Sequence, residues 1–244
     1  MVSIDRVYQR VLALANKEQR GYITPQDFNL FANQAQMEIF EQYFYDVNMA
    51  RKGQGNDTVY ADIDDMLEEK LQIFERVEDA SSVPYAVTPD GQGAILPIYV
   101  YRVNSIYFGS NINDNSVSAE ILNTKDFYNC LQGPPLLRPK SSIASIANIR
   151  NNEVRVFNGS TFQANNFNIS FFKVPSKVEW AYVVMNNKAM YNEGAQVDFE
   201  VHRSEETQLV NKILKLAGIS IKQPDVAQSG QGMEASTIQQ QPKI

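Results

Sequence analysis

"GYITPQDFNLFANQAQMEIFEQYFYD", Gly21 to Asp46, reads as one long helix whose apolar residues lie on more than one side. Its start carries several independent signals. Thr24 is placed to cap the first free amides, Pro25 sits where a missing N–H costs nothing, and Asp27 completes a Thr-x-x-Asp variant of the capping box. Ile23 and Phe28 occupy the two positions of a hydrophobic staple. Phe28, Phe31, Ala32, Ala35, Ile39 and Tyr43 then form one stripe, and Leu30, Met37, Phe40 and Phe44 form a second, displaced around the axis. An ordinary core satisfies one stripe. The second needs either a deeper bundle or another subunit.

Working outward, Ile4, Val7, Tyr8, Val11, Leu12 and Ala15 recur at helical spacing through Ser3–Arg20, with Lys17 and Arg20 in the last turn and Gly21 as the stop. Beyond "RKGQGNDTV", the segment "ADIDDMLEEKLQIF" supplies acidic first-turn residues and the apolar set Ile63, Met66, Leu67, Leu71 and Phe74, which predicts a third helix. Near the other end, "HRSEETQLVNKILKLAG" has Ser204 as cap, Glu205 and Glu206 at the positive helix start, Lys212 and Lys215 toward its end, and Gly218 to close it.

From about Pro84 the pattern changes to short β-rich runs. "PIYVYRVNSIYF" reads as a strand beginning near Pro97, "SIANIRNNEVRVF" as a hairpin turning at Asn151 and Asn152, and "NFNISFFKV" as a further strand. "NTKDFYNCLQGPPLLRP" reads as one helical turn followed by a Pro-rich loop. The sum is an α+β fold. A helical bundle spans 1–83, a small antiparallel β domain is inserted at 84–200, a C-terminal helix at 201–218 rejoins the bundle, and 219–244 is an extended tail too rich in Gln, Ser and Gly to form a core.

Composition excludes more than any motif suggests. The 244 residues, 43% of them hydrophobic, are enough to bury a sizeable core. With Lys+Arg 22 against Asp+Glu 28 the net charge is −6, which argues against a surface built to grip nucleic acid. One cysteine rules out an intrachain disulfide. "MVSIDRVYQR" places Asp5 and Arg6 where a signal peptide needs an apolar run, and no apolar stretch has membrane-spanning length; the expectation is a protein that acts, or is assembled, in a reducing cytoplasm.

Residues for chemistry are scarce. His202 is the only histidine and Cys130 the only cysteine, so no cofactor or metal is expected, and a Ser-His-Asp relay would have to use His202 alone. His202 reads as a surface contact before a helix cap, and Cys130, beside Tyr128 and Leu131, as a small buried apolar residue. "DIDD" at Asp62–Asp65 lacks the glycine and distal glutamate of a calcium loop and suits a solvated helix start. The three "GQG" triplets lack the strand and helix context of a phosphate loop. A hydrolase working through a pair of carboxylates is the reading from another class, and it requires an acidic pair converging in a pocket.

The combination of "YITPQDFNLFANQAQMEIFEQYF", "LPIYVYRVNSIYF" and "SEETQLVNKILKLAGISIKQPDV" before a polar tail resembles virion proteins of tailed bacteriophages, most closely head-to-tail adaptor or neck-ring subunits of short-tailed and crAss-like phages. The resemblance rests on pattern and order of elements, not on an active-site motif. It implies a structural protein of the virion: a ring of twelve copies between the portal protein and the adjacent tail ring protein, lining a conduit through which double-stranded DNA passes without specific binding, and not an enzyme or a membrane protein. Another ring of the tail barrel fits the same pattern. Under this reading Phe40 and Phe44 pack against a partner, because a heterologous ring interface gives one helix two apolar sides. Asp64, Asp65, Glu68 and Glu69 are candidates to face the conduit, with a solvated outer face as their alternative. Ile219, Ile221, Val226, Met233, Ile238 and Ile244 are spaced apolar anchors in the tail, suited to laying single side chains into grooves on a partner.

Overall fold

The computed structural model describes residues 1–17, 23–52, 58–79, 85–108, 117–133, 145–164, 167–186 and 188–220, side chains of 16–17, 50–52, 58–64, 108, 117 and 219–220 excepted. The chain divides into two compact units, one comprising Met1–Ile73 with the chain from Pro175 onward, the other Phe74–Val174.

The first unit is organised by the helix that the opening stretch encodes. α1 (Ile4–Lys17) precedes α2 (Pro25–Lys52) and α3 (Thr58–Gln72). Thr24 caps α2 as its sequence demands: its Oγ1 accepts from the Asp27 amide at 3.2 Å and donates to the Asp27 carboxylate at 2.6 Å. Ile23 and Phe28 are both buried. Of the two stripes on α2, the first supplies the core through Phe28, Ala32, Ala35, Ile39 and Tyr43, while the second is split: Phe40 is fully buried, Met37 and Phe44 are half-buried, and Leu30 is exposed.

A third stripe on α2 does work that no apolar pattern announces. Asn29, Asn33 and Gln36 fall at i, i+4 and i+7 and hold an extended segment that returns some 140 to 151 positions later. The Asn29 side chain accepts from Trp180 N–H at 2.8 Å and donates to its carbonyl at 3.3 Å. Asn33 does the same for Val178, at 3.0 and 2.9 Å. Gln36, 1% exposed, donates to the Ser176 carbonyl and accepts from the Glu200 amide. Four helical residues rise about 6 Å and two extended residues about 6.6 Å, so side-chain amides on successive turns meet every second residue of an antiparallel chain. The helix presents a ladder of amides in place of a neighbouring strand, and each rung satisfies backbone groups that would otherwise cost about 1–3 kcal/mol to bury.

After this segment come the two-stranded ribbon β10 (Tyr182–Met185) and β11 (Lys188–Tyr191), then a 3-10 turn at Arg203–Glu205 and α5 (Glu206–Ser220). Leu209, Val210, Ile213, Leu214 and Ala217 of α5 are buried. Gly218 does not close this helix, which runs through it to Ser220. An interior glycine costs about 1 kcal/mol relative to alanine, too little to end a helix held by that much buried surface. Val2 and Phe199 pair backbone to backbone, and Asp198 caps α1 by accepting the Ile4 amide at 2.9 Å.

Among the described residues the second unit is a curled sheet of nine strands: β1 (Glu75–Asp79), β2 (Ala86–Val87), β3 (Ala94–Ile95), β4 (Val100–Phe108), β5 (Val117–Leu122), β6 (Ser145–Arg150), β7 (Glu153–Phe157), β8 (Phe162–Gln163) and β9 (Asn168–Lys173). Their order is β1-β9-β4-β5-β6-β7-β3-β2, with β8 on β7. The β6–β7 hairpin turns where expected, at Asn151 and Asn152 with φ of 49° and 62°, the left-handed conformation that asparagine tolerates and a tight hairpin requires. The expected strands near Pro97 and at "NFNISFFKV" are β4 and β9. β5 and β6 pair in parallel because α4 (Thr124–Gln132), capped by Asn123, lies in their connection. That helix has nine residues, more than the single turn expected. Two register irregularities in β4 against β9 bend the sheet. Ile106, Val154, Val156, Phe167, Ile169 and Phe171 centre its core. Gly93 is required there, since a Cβ would stand 2.8 Å from the Val154 carbonyl oxygen.

The expected helical bundle with a small antiparallel insertion is therefore not the fold. The chain is built largely on a mixed sheet that begins at Glu75 rather than Pro84, and residues 175–200, expected within the insertion, belong with the helices. The missed strands explain the error. β1 reads Glu-Arg-Val-Glu-Asp and shows no apolar alternation because it is a charged edge, while β2, β3 and β8 have two residues each, too few to show any period.

Candidate functional site

The most concentrated chemistry lies where α2, α3 and α5 meet. Lys70 of α3 pairs with Glu205 at 2.7 Å, the lysine and glutamate side chains being 18% and 7% exposed. The Lys70 ammonium also stands 5.6 Å from the Tyr43 ring centre. Lys212 reaches Glu38 at 3.4 Å, and Gln208 donates to Gln42 at 3.0 Å. Burial above all, then the Glu205 and Asp46 carboxylates, holds the Tyr43 hydroxyl protonated far above the usual tyrosine range. Burial also raises the Asp46 carboxyl above its ordinary 3.8; Lys70 opposes this and Glu205 adds to it.

That shift has a measurable consequence. The folded chain holds the Asp46 proton more tightly than the unfolded chain does, so the contribution of Asp46 to stability is intact below the unfolded value of 3.8 and declines as pH rises through the raised folded value. Asp46→Asn is expected to raise the melting temperature at neutral pH, with the gain shrinking as pH falls toward 4. An equal gain at both pH values would show that the charge is not the cause.

Beside this cluster a cavity of about 260 Å³ is lined by Met66, Glu69, Lys70, His202, Ser204, Glu205, Thr207 and Gln208. It contains a serine, a histidine and a glutamate, but in an order that does not activate a nucleophile. His202 Nδ1 accepts the Ser204 amide at 3.3 Å, as a cap does, and stands 2.9 Å from the Ser204 hydroxyl, which also reaches Glu205 at 3.3 Å. The histidine is thus on the serine, but a relay also needs the acid on the histidine, and here Glu205 meets the serine instead. Glu69 and Glu205 are the two carboxylates in the cavity, and Glu205 is committed to Lys70.

In the sheet unit a second cavity, of about 200 Å³, is lined by Tyr128, Asn148, Arg150, Asn151, Glu153 and Arg155. Arg155 pairs with Asp90 at 2.9 Å and with Glu153 at 3.5 Å. The hydrogen bond from Thr88, then that from the Gln92 amide, with help from Arg155, keeps the Asp90 carboxyl below its usual range. The lining holds two arginines and one carboxylate, and Asp90, outside the lining, offsets Arg155.

Among the described residues the β10–β11 ribbon is the most exposed apolar element. Val183 is 50%, Val184 63%, Met185 57% and Met190 54% exposed. Val183 lies across from Met190 and shares its face with Met185, while Val184 points to the opposite face, so both faces of the ribbon present apolar side chains to solvent. Its base is anchored by Trp180, which stacks on Tyr182 and Tyr191, meets Tyr8, and donates from Nε1 to Asp5 at 3.0 Å.

Of the residues expected to meet partners, Phe40 is enclosed by its own chain and only Phe44 retains a half-buried edge. Asp65, Glu68 and Glu69 are exposed on α3, and the Asp64 side chain lies outside the described residues. So do the Ile219 side chain and the whole of Ile221, Val226, Met233, Ile238 and Ile244. His202 caps the turn into α5, and Cys130 is half-buried rather than buried. The ribbon was missed because "YVVMNNKAMY" is ordinary strand sequence, and exposure on both faces is invisible without the neighbours; the amide ladder had a signal, polar residues at i, i+4 and i+7. Among the described residues no three His, Cys, Asp or Glu side chains are placed to hold a metal, and no helix is long and apolar enough to cross a membrane. No protein-family model matches the chain, and no curated protein matches it.

Proposed function

We propose that the chain is a structural subunit of a ring in the head-to-tail connector of a tailed phage, seated between the portal protein and the adjacent tail ring protein and passing double-stranded DNA without gripping it. The observation that carries this reading is the β10–β11 ribbon, a two-stranded element apolar on both faces, which is marginal alone and gains stability when another surface covers it. The resemblance of three stretches of sequence to neck-ring subunits supplies the assembly. The net charge of −6 agrees with a conduit that does not adhere to phosphate. Size-exclusion chromatography with light scattering, followed by imaging of any assembly, tests the proposal: a closed ring with rotational symmetry is expected. A chain that stays monomeric across micromolar to near-millimolar concentrations would remove it.

A further inference from the structure

The ribbon and the α3–α5 cavity have complementary chemistry and lie at opposite ends of α2. The ribbon, residues 182–191, carries Lys188 and no carboxylate beside its exposed Val183, Val184, Met185 and Met190. α3 carries five carboxylates, Asp62, Asp64, Asp65, Glu68 and Glu69, against one lysine, and that lysine is taken by Glu205. Met66, 61% exposed, lines the cavity together with Glu69, so an apolar anchor point sits beside an acidic one. A ribbon with apolar tips and one cation fits such a surface.

The ribbon cannot reach that cavity in its own chain. Trp180 is pinned to Asn29 near the start of α2, whereas the cavity residues Gln208 and Lys70 meet Gln42 and Tyr43 in its second half. Thirteen helical residues separate Asn29 from Gln42, the partner of the cavity residue Gln208, roughly 20 Å at 1.5 Å per residue. Each strand of the ribbon has four residues, a reach of about 13 Å. Two unlike surfaces that match each other but cannot meet within one molecule are the condition for head-to-tail association, which closes into a ring when the rotation allows.

We infer that the β10–β11 ribbon of one copy docks on the α3–α5 surface of a second copy, with apolar ribbon side chains against Met66 and Lys188 facing Glu69 and Asp65. This names the contact within the proposed ring and rests on that reading. It also places Glu69 at a subunit seam instead of in the conduit.

The test uses the full chain and four variants: Val184→Asp, Lys188→Glu, Glu69→Lys, and the last two together. All three substitutions are at exposed positions, so unchanged thermal melting is expected for each variant. Assembly, followed by light scattering against concentration at low salt, is expected to require about tenfold more protein for Val184→Asp, since a buried charge at the centre of a contact is the costly case. Each single charge reversal is expected to weaken assembly, and the double reversal to restore it. If the wild type assembles and all variants match it, the docking is wrong while the ring stands. If Val184→Asp weakens assembly but the double reversal restores nothing, the acceptor is not α3 and the inference fails. A wild type that never assembles overturns both.

Discussion

Phe40→Ser is expected to destabilise the isolated chain by about 4 kcal/mol, the range for emptying a fully enclosed phenylalanine site, with a further cost because the serine hydroxyl replaces a hydrocarbon. The side chain is 0% exposed, and its ring meets Phe44 edge-on at 5.1 Å between centres. Phe44→Ser, at a half-buried position, is expected to cost clearly less. Urea unfolding of dilute, unassembled protein separates the two. Domain stabilities of about 5–15 kcal/mol leave little room for the first change, and partial unfolding at room temperature would be no surprise. If both variants melt like the wild type and differ only in assembly, Phe40 faces a partner and the packing described around α2 is wrong.

The second large effect concerns Lys70. Lys70→Ala leaves the Glu205 carboxylate, 7% exposed, without its cation and with Asp46 close enough to feel it. Breaking one side of such a pair typically costs about 3–5 kcal/mol, whereas replacing both sides by apolar groups of similar volume is near neutral. The double variant Lys70→Met with Glu205→Leu is therefore expected to recover most of the stability that Lys70→Ala loses. Equal losses for the single and double variants would show that packing of the lysine stem, not the charge, is what matters. A comparison with Lys212→Ala calibrates the result, because its partner Glu38 is 39% exposed and water can solvate it once the lysine is gone.

These two sites show what kind of information the local pattern contains. The start of α2 was legible from Thr24, Pro25 and Asp27, and the β6–β7 turn from Asn151 and Asn152, because capping and turn formation are settled within four residues by unsatisfied amides and by φ. The first stripe of α2 and the apolar face of α5 were legible because helical period is a property of the segment itself. The long edge of charged β1 and the two-residue strands were not, since their membership of the sheet is decided by β9, β7 and β3, which supply the partners. For the same reason the candidate surfaces were only half visible. The acidity of α3 is written in its residues, but the exposure of Val184 and the enclosure of Phe40 depend on what the rest of the chain covers.

By itself, then, the sequence determined the starts and periods of the main helices, the place of the tight hairpin, the scarcity of catalytic side chains and the acidic balance, all of which follow from neighbours along the chain or from simple counts. Only the tertiary structure decided that the sheet outweighs the bundle, that Asn29, Asn33 and Gln36 grip a segment about 140 to 151 positions away, and that a ribbon remains apolar on both faces. Burial and backbone pairing are settled between segments distant in sequence, where the free energy of covering a surface depends on which other surface arrives to cover it.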